Sequence, residues 1–494
     1  MFNDAIYNES DGDSALAYKD FTFPEWGRWP DPKGLVDYLH EHDLKCLLWQ
    51  IPIIKQVTSL VHWQKSNDEA AFVHHGYGVK NADGSPYRLP EGWFKDALLM
   101  DFTNQGAREW WFEKRQYLLD EIGVDGFKTD GGECVFGHDL VFADGSDGRV
   151  MRNKYPNDYI GAYYEFAQQN NGITFSRSGY TGAQSFPAHW AGDERSSWDA
   201  FKRSILAGLS AGMSGIIFWG WDLAGFSGPV PGAQLYIRSV QMACFCPIMQ
   251  FHAESKAEHN QDRTPWNIAE RSGDERALTI YRFYANLRMS LMPYLVGEAK
   301  YCVEANTPLM RAMVLDHQND RQASVLWDQY MLGRDLLVAP VIAEGQVERN
   351  VYLPEGNWWH LFDNKWFEAG EHLVAASLEE IPVFVRSGGI VALAFDQEIR
   401  LGSAMPADIE KPGHMVLLVA NFRDGSAFYQ AENGATIAVE WSDKGGAEIT
   451  SSGHFKKQYL IVFASTPARV VLDGKEAKIK MLPLAGVPLC AVLI

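Results

Sequence analysis

A short buried strand that ends in charged residues is the sequence feature that most constrains the fold. Residues 107–121 have the spacing of an amphipathic helix, and residues 124–129 form an apolar run directly after it. Lys128, Asp130 and Glu133 then fall within six positions at the end of that run. An α/β barrel presents its chemistry in this way, at the carboxyl face of its sheet, although a solvated turn is the alternative interpretation.

The unit of a helix followed by a strand recurs along the chain. Asp31 and Pro32 predict the N-cap and first turn of a helix that runs to about His42. No glycine-rich dinucleotide fingerprint follows a strand, which favours a (β/α)8 barrel over an open sheet. The other predicted barrel elements are strands at residues 44–52, 173–177, 188–190, 215–219 and near 242–249, and helices at residues 158–169, 197–211 and 275–304.

The sequence changes in character after about Thr307. Alternating apolar residues and turn signals now predict antiparallel β structure, with a turn at residues 354–357. We therefore expect an α/β fold, a TIM-type barrel in residues 1–306, followed by two antiparallel β-sandwich modules in residues 307–395 and 396–494. The strands predicted in the first module are residues 336–341, 347–353, 358–361, 373–376, 383–386 and 390–393.

Charge and cysteine usage exclude several classes of function. The net charge is −19, with 44 basic and 63 acidic residues and no Lys/Arg run, which argues against nucleic acid or an anionic membrane as partner. Six scattered Cys do not form a disulfide framework and favour a reducing compartment. With no signal peptide and no apolar run of membrane-spanning length, we expect a cytoplasmic protein. No metal or other cofactor is expected, and a homo-oligomer is possible.

Two carboxylates at predicted strand ends are the sharpest catalytic candidates. Asp130 and Asp193 lie 63 positions apart (193 − 130), so only the barrel would bring them together. Glycosides are cleaved by such a pair, one group attacking the anomeric carbon and the other protonating the leaving oxygen. Lys128 and Arg177 could keep the attacking carboxylate ionised, and Trp190 could supply an apolar wall for the acid.

Several motifs in these positions resemble glycoside hydrolase family 31, the retaining α-glucosidase and α-xylosidase family. The resemblance extends from Asp31 to about Leu393, and the motifs occur in the family's order. They read LWQIP at 48–52, FKTDGGE at 127–133, RSGYTGAQ at 177–184, WAGD at 190–193, FWGWDLAGF at 218–226, YMLGRDLLVAPV at 330–341 and YLPEGNW at 352–358.

The resemblance implies a role for individual residues. Asp130 corresponds to the family's nucleophile and Asp193 to its acid/base. Trp221 stands where the family usually has His, which removes a donor to a sugar hydroxyl and adds an aromatic wall. From its position alone, Glu133 could support the site by holding Lys128 or by closing it, and a structural ion pair is the alternative. The residues implied to bind the sugar are Trp49, Lys128, Arg177, Trp190, Trp221 and Asp222.

The chain departs from the family pattern at its start. Family members carry a β-sandwich before the barrel, and their first barrel strands contribute a carboxylate to the sugar site. This chain begins after those strands, so the sequence predicts an N-terminally incomplete barrel that is poorly stable or inactive alone.

The resemblance implies a retaining, exo-acting α-glycosidase that hydrolyses α-glucosidic bonds of oligosaccharides. An α-xylosidase, an α-galactosidase or an α-glucan transglycosylase could use the same site. An inactive fragment or a non-catalytic sugar-binding protein is the alternative from another class. The substrate expected in each case is an α-linked oligosaccharide.

Overall fold

The computed structural model describes residues 30–56, 63–92, 94–253, 262–405, 412–455 and 457–494. The sequence predicts a long loop over residues 1–30. Residues 1–29 lie outside the part of the chain that the structure describes. The chain divides into two compact units, Met1–Trp190 and Ala191–Ile494.

The first unit is built on a parallel sheet. Its strands pair in the order β1-β4-β5-β6, and β2 and β3 form a separate antiparallel pair. The strands are β1 (Leu47–Gln50), β2 (Ile53–Ile54), β3 (Leu98–Leu99), β4 (Gly126–Thr129), β5 (Ile173–Ser176) and β6 (Ala188–Trp190). The helices are α1 (Pro32–Glu41), α2 (Trp63–His75), α3 (Gln105–Glu113) and α4 (Gly148–Ala167).

Two helices of the first unit show where local signals suffice and where they fail. The predicted start of α1 is confirmed, since Asp31 Oδ1 accepts a hydrogen bond of 2.8 Å from the Gly34 amide. The single helix predicted at residues 107–121 is wrong: α3 ends at Glu113, and a π-helical turn occupies Leu118–Ile122. Arg115 lies at the break, with its guanidinium over the Trp111 ring at 3.8 Å and bonded to the Trp111 carbonyl at 2.9 Å.

Helix α4 begins ten residues before the start predicted at residue 158. Asp147 caps it by accepting from the amides of Arg149 and Val150. Pro156 lies inside the helix, where a proline normally destabilises helical structure. The buried row Tyr155, Tyr159, Tyr163 repeats every fourth residue, and its packing carries the helix through the proline.

In the second unit, helices precede a strand-rich region. The strand predicted near residues 242–249 is wrong, because residues up to Cys244 belong to a helix, α6 (Ala233–Cys244). This helix is buried on all of its faces. An apolar run without a helical period cannot be told from a strand by pattern alone. The long helix predicted at 275–304 is two helices separated at Leu291. These elements are α5 (Trp198–Met213), β7 (Trp219–Gly220), α6 (Ala233–Cys244), α7 (Pro265–Ser272), α8 (Arg276–Ser290) and α9 (Met292–Ala305).

A six-stranded antiparallel sheet follows, in the order β12-β11-β13-β10-β9-β8. The predicted strands at 347–353 and 358–361 are one strand, and the predicted turn between them is a register irregularity between Leu353 and Asn357. The elements are β8 (Met310–Ala312), α10 (Met313–Asp316), β9 (Tyr330–Leu332), β10 (Leu336–Val338), β11 (Glu348–His360), β12 (Trp366–Ala375) and β13 (Val383–Arg386).

The chain ends in two five-stranded sheets that share an apolar core, including Leu417, Ile437 and Ile461. Their orders are β14-β15-β19-β23-β22 and β16-β17-β18-β20-β21. Two pairings, β15 with β19 and β18 with β20, are parallel. The strands are β14 (Ile390–Phe395), β15 (His414–Val419), β16 (Gly425–Gln430), β17 (Thr436–Ser442), β18 (Gly446–Ser452), β19 (Tyr459–Phe463), β20 (Val470–Leu472), β21 (Lys475–Glu476), β22 (Lys480–Leu482) and β23 (Leu489–Leu493).

One buried guanidinium joins α6 to the six-stranded sheet. Arg238 is 1% exposed, and its burial lowers its pKa to about 10. It donates hydrogen bonds of 2.7–3.1 Å to the main-chain oxygens of Gln346, Ala376, Ser377 and Glu380. Arg238 therefore satisfies four main-chain oxygens, and its contact with the Ala376 oxygen is buried.

We expect Arg238→Met to lower the free energy of unfolding by about 3–5 kcal/mol, because the variant removes four hydrogen bonds of a buried side chain and leaves the buried Ala376 oxygen without this donor. Arg203→Met is the matched control, since Arg203 lies on α5 of the same unit and its side chain is 78% exposed. It should change stability by less than about 0.5 kcal/mol. Urea-induced unfolding measures both, and equal effects would contradict the role given to Arg238.

Candidate active site

The register of three parallel strands brings the predicted nucleophile region together. Trp49 of β1 pairs with Lys128 of β4, and Thr129 of β4 pairs with Ser176 of β5. The next bonds of the ladder fix the strand ends: the Asp130 amide donates to Gln50 O at 2.9 Å, and the Arg177 amide to Thr129 O at 3.1 Å. Trp49, Asp130 and Arg177 therefore emerge at the same edge of the sheet.

The Asp130 carboxylate has a donor on each oxygen. The Trp49 indole Nε1 donates to Oδ2 at 2.8 Å. The Gly131 amide donates to Oδ1 at 2.8 Å, and the Arg177 guanidinium lies 3.1 Å from the same oxygen. The side chain is 15% exposed, so the carboxylate is oriented but reachable.

Two glycines turn the chain away directly after Asp130. Gly131 and Gly132 have φ of +70° and +106°, a region that favours glycine. A Cβ at Gly132 would lie 2.3 Å from the Ser178 hydroxyl oxygen, which itself donates to Gly131 O at 2.6 Å. The turn is therefore held by the segment that carries Arg177.

Arg177 bridges two carboxylates, and Lys128 lies among aromatic rings. Glu133 forms its ion pair with Arg177 at 3.0 Å, not with Lys128, and its side chain is 55% exposed, so its supporting role stays a prediction. Lys128 Nζ lies 4.3 Å from the Trp190 ring centroid and 5.7 Å from that of Phe175. Both arrangements place a cation beside the predicted sugar site.

Sequence reasoning missed the residues beneath Trp49 and Asp130. Gln50 is fully buried, and its side-chain oxygen accepts from Tyr163 and Arg115, each at 2.8 Å. The Tyr159 hydroxyl contacts the main-chain oxygens of Gln50 at 2.9 Å and Asp130 at 3.2 Å. The regular spacing of the tyrosines on α4 was the available sequence signal. It could be recognised only if the predicted helix began before Tyr155.

The predicted acid/base lies in the second unit, on a segment held by a neighbouring loop. We call residues 193–196 the acid loop and residues 222–228 the Asp222 loop. The main-chain oxygen of Glu194 accepts from the amides of Phe226 at 2.8 Å and Ser227 at 2.9 Å. The Asp193 side chain is exposed to solvent. Since Asp130 belongs to the first unit, the separation of about 5–5.5 Å expected of a retaining pair stays a prediction.

Trp221 and Asp222 are more buried than the sugar-binding role implies. Trp221 is 2% exposed and Asp222 is 0% exposed. Gln250 Nε2 donates to Asp222 Oδ1 at 3.0 Å, and the Leu223 amide donates to Gln250 O at 3.1 Å. Their direct contact with a sugar stays a prediction.

Glu194 is a third carboxyl group beside Asp193 and Asp222. The sequence analysis did not predict a role for it. Both of its carboxyl oxygens are buried, and neither has a hydrogen-bond partner among the residues that the structure describes. Burial, followed by the charges of Asp222 and Asp193, raises the pKa of Glu194 to about 8. Its position directly after Asp193 was the only sequence signal.

The described residues contain neither a candidate metal site nor a candidate membrane-spanning helix. Within the described ranges, no group of three or more His, Cys, Asp or Glu side chains is arranged to hold a metal ion. No described helix combines the length and the apolar character that a membrane crossing requires.

Comparison with known families defines the class of protein. Residues 2–298 match the "Glycosyl hydrolases family 31 TIM-barrel domain", and residues 306–391 match the "Glycosyl hydrolase family 31 C-terminal domain". The fold is thus a glycosidase TIM barrel followed by strand-rich modules, as the sequence predicted. The chain belongs to glycosyl hydrolase family 31, which confirms the resemblance drawn from its motifs.

Similar proteins include an isomaltosyltransferase and enzymes that form or degrade cycloalternan. The isomaltosyltransferase of Sporosarcina globispora is 44% identical over 500 residues, 96% of this chain and 44% of the relative. The cycloalternan-forming enzyme from Listeria monocytogenes, solved with a pentasaccharide substrate, has a TM-score of 0.90 and 36% identity over 99% of this chain and 48% of that chain. The cycloalternan-degrading enzyme from Trueperella pyogenes, solved with a covalent intermediate, has a TM-score of 0.72 and 44% identity, covering 74% and 51%. The chain spans about half the length of these relatives.

We expect Glu194→Gln to stabilise the protein increasingly as pH rises from 5 to 8. The folded state keeps the Glu194 proton up to about pH 8, whereas the unfolded chain loses it near its ordinary pKa of 4.5. Stability is therefore lost across this window by at most about 1.4 kcal/mol per pH unit, and Gln removes the loss.

Thermal unfolding of both proteins at several pH values measures the effect. Glu304→Gln is the control, because Glu304 is exposed on α9 of the same unit. Parallel stability curves for Glu194→Gln and the parent protein would contradict the assigned burial of a protonated carboxyl.

Proposed function

We propose that this protein is a retaining, exo-acting α-glycosidase that cleaves α-glucosidic bonds of oligosaccharides, with Asp130 as nucleophile and Asp193 as acid/base. The observation that carries the proposal is the Asp130 carboxylate, which has donors from Trp49, Gly131 and Arg177 at the carboxyl end of a strand in a family 31 barrel. Positions at these strand ends are where barrel enzymes place catalytic groups.

In the first step, an Asp130 oxygen attacks C1 of the sugar as the bond from C1 to the leaving oxygen breaks. Asp193 gives its proton to that oxygen, so the aglycone departs as an alcohol and a β-glycosyl ester remains on Asp130. In the second step, Asp193 takes a proton from water, whose oxygen attacks C1 and releases the ester. Two inversions at C1 retain the α configuration.

The contacts of Asp130 fit an attacking group that must also leave. Arg177 and Trp49 supply a cation and an N–H donor that balance the carboxylate before attack and after release of the ester. Lys128, lying over Trp190, adds a second cation on the same strand. We expect the sugar to occupy the space beside these side chains, with Trp49 and Trp190 as its aromatic walls.

The test separates the two carboxylates. With 5-fluoro-α-glucosyl fluoride, the protein should gain the mass of one glycosyl group on the peptide that contains Asp130, and Asp130→Ala should lose turnover at least about a thousandfold. Asp193→Ala should lower kcat/KM about 10²–10⁴-fold on maltose but far less on p-nitrophenyl α-glucoside, whose leaving group needs little protonation in the first step. Labelling elsewhere, or equal losses on both substrates, would reassign the roles.

Transfer to a sugar acceptor is the second candidate function. The isomaltosyltransferase and the cycloalternan-forming relative, whose names describe the transfer or formation of sugars, align over 96% and 99% of this chain. The same glycosyl-enzyme would then be released by a sugar hydroxyl instead of water.

Panose, a trisaccharide with an isomaltosyl unit at its non-reducing end, distinguishes the two candidates. Hydrolysis should yield only shorter sugars, whereas transfer should yield products longer than panose whose amount rises with added acceptor. Chromatography of the products measures both, and a product set that never exceeds three sugars would exclude transfer.

A further inference from the structure

Gln250 contacts the start of the Asp222 loop in two ways. Its side-chain amide donates to Asp222 Oδ1 at 3.0 Å, and its main-chain oxygen accepts from the Leu223 amide at 3.1 Å. Asp222 and Gln250 also pair as a parallel bridge. Because Asp222 is 0% exposed, an amide donor that reaches its carboxyl group offsets part of the cost of burying it.

The segment that carries Gln250 also holds the far end of the Asp222 loop. The His252 ring stacks on the Phe226 ring, with centroids 5.0 Å apart and planes 25° from parallel. Gln250 therefore fixes the start of the Asp222 loop. His252, two residues after Gln250, fixes the centre of that loop at Phe226.

The Asp222 loop in turn fixes the acid loop. Phe226 and Ser227 donate their amides to Glu194 O, and the Ser196 amide donates to Ser227 O at 3.0 Å. The two loops approach so closely at Gly225 that a Cβ there would lie 2.6 Å from the Ser196 nitrogen. A shift of the Asp222 loop must therefore move the main chain that carries Asp193.

We propose that Gln250 is a positioning residue for the acid/base: its amide fixes Asp222, and the Asp222 loop transmits that constraint to Asp193. This inference rests on the proposed function of Asp193. Gln250 does not act on the sugar in this scheme, so its loss affects the step that needs a placed proton and spares the binding of substrate. A misplacement of about 1 Å is enough to cost about a hundredfold in rate.

The test compares substrates that do and do not need the acid. Gln250→Met keeps an unbranched side chain of similar length but removes the donor. It should lower kcat/KM on maltose about 10–100-fold and kcat/KM on p-nitrophenyl α-glucoside by less than about threefold, because kcat/KM reports the first step, in which only maltose needs the proton. Gln250→Asn, whose shorter amide falls short of Asp222, should show the same split and serves if the Met variant fails to fold.

Gln241→Met is the matched control. Gln241 is a buried glutamine of the same unit, and its amide donates to Leu378 O at 2.8 Å, away from both loops. Its loss should lower stability without a split between the two substrates. If Gln250→Met lowers kcat/KM equally on both substrates, or not at all, the positioning role is wrong. If Asp193→Ala itself shows no split, the acid/base assignment fails, and this inference fails with it.

Discussion

The parallel register of β1, β4 and β5 is the constraint on which the candidate site depends. Side chains alternate across a strand, so a slip of one residue would turn Lys128 to the other face of the sheet. The ladder continues one bond past the strands, from Asp130 to Gln50 O and from Arg177 to Thr129 O. Main-chain bonds therefore place Asp130, the proposed nucleophile, and its partners, and the contacts between their side chains only refine that placement.

Local sequence signals predicted the elements that local physics determines. The cap at Asp31, the charged end of β4 and the strands β13 and β14 follow from capping, strand-end and alternation patterns. Helix α6 was misread because burial on all sides removes its period, and α4 because tertiary packing overrides Pro156. The domain boundaries after residues 306 and 395 stay predictions, although β14 pairs with β15 across the second of them.

The motifs predicted the candidate site residues. They could not predict the residues that hold those side chains in position. Gln250 reaches Asp222 from 28 positions away, and Tyr159 reaches Gln50 O from 109 positions away. Neither pair has a spacing that marks it in the sequence. Such contacts exist only once strands and loops are folded, so a single sequence carries no pattern from which they can be inferred.

The two halves of the proposed reaction have opposite surroundings, which fits their roles. Asp130 faces a guanidinium and an indole N–H, donors that favour a carboxylate able to attack and to leave. On the acid side, Asp193 and Asp222 both act on Glu194 as negative charges, and Asp222 receives a neutral amide from Gln250. Burial and these like charges together raise the pKa of Glu194. The cationic setting of Asp130 and the carboxyl groups around the segment that carries Asp193 thus fit the proposed roles of attack and proton delivery.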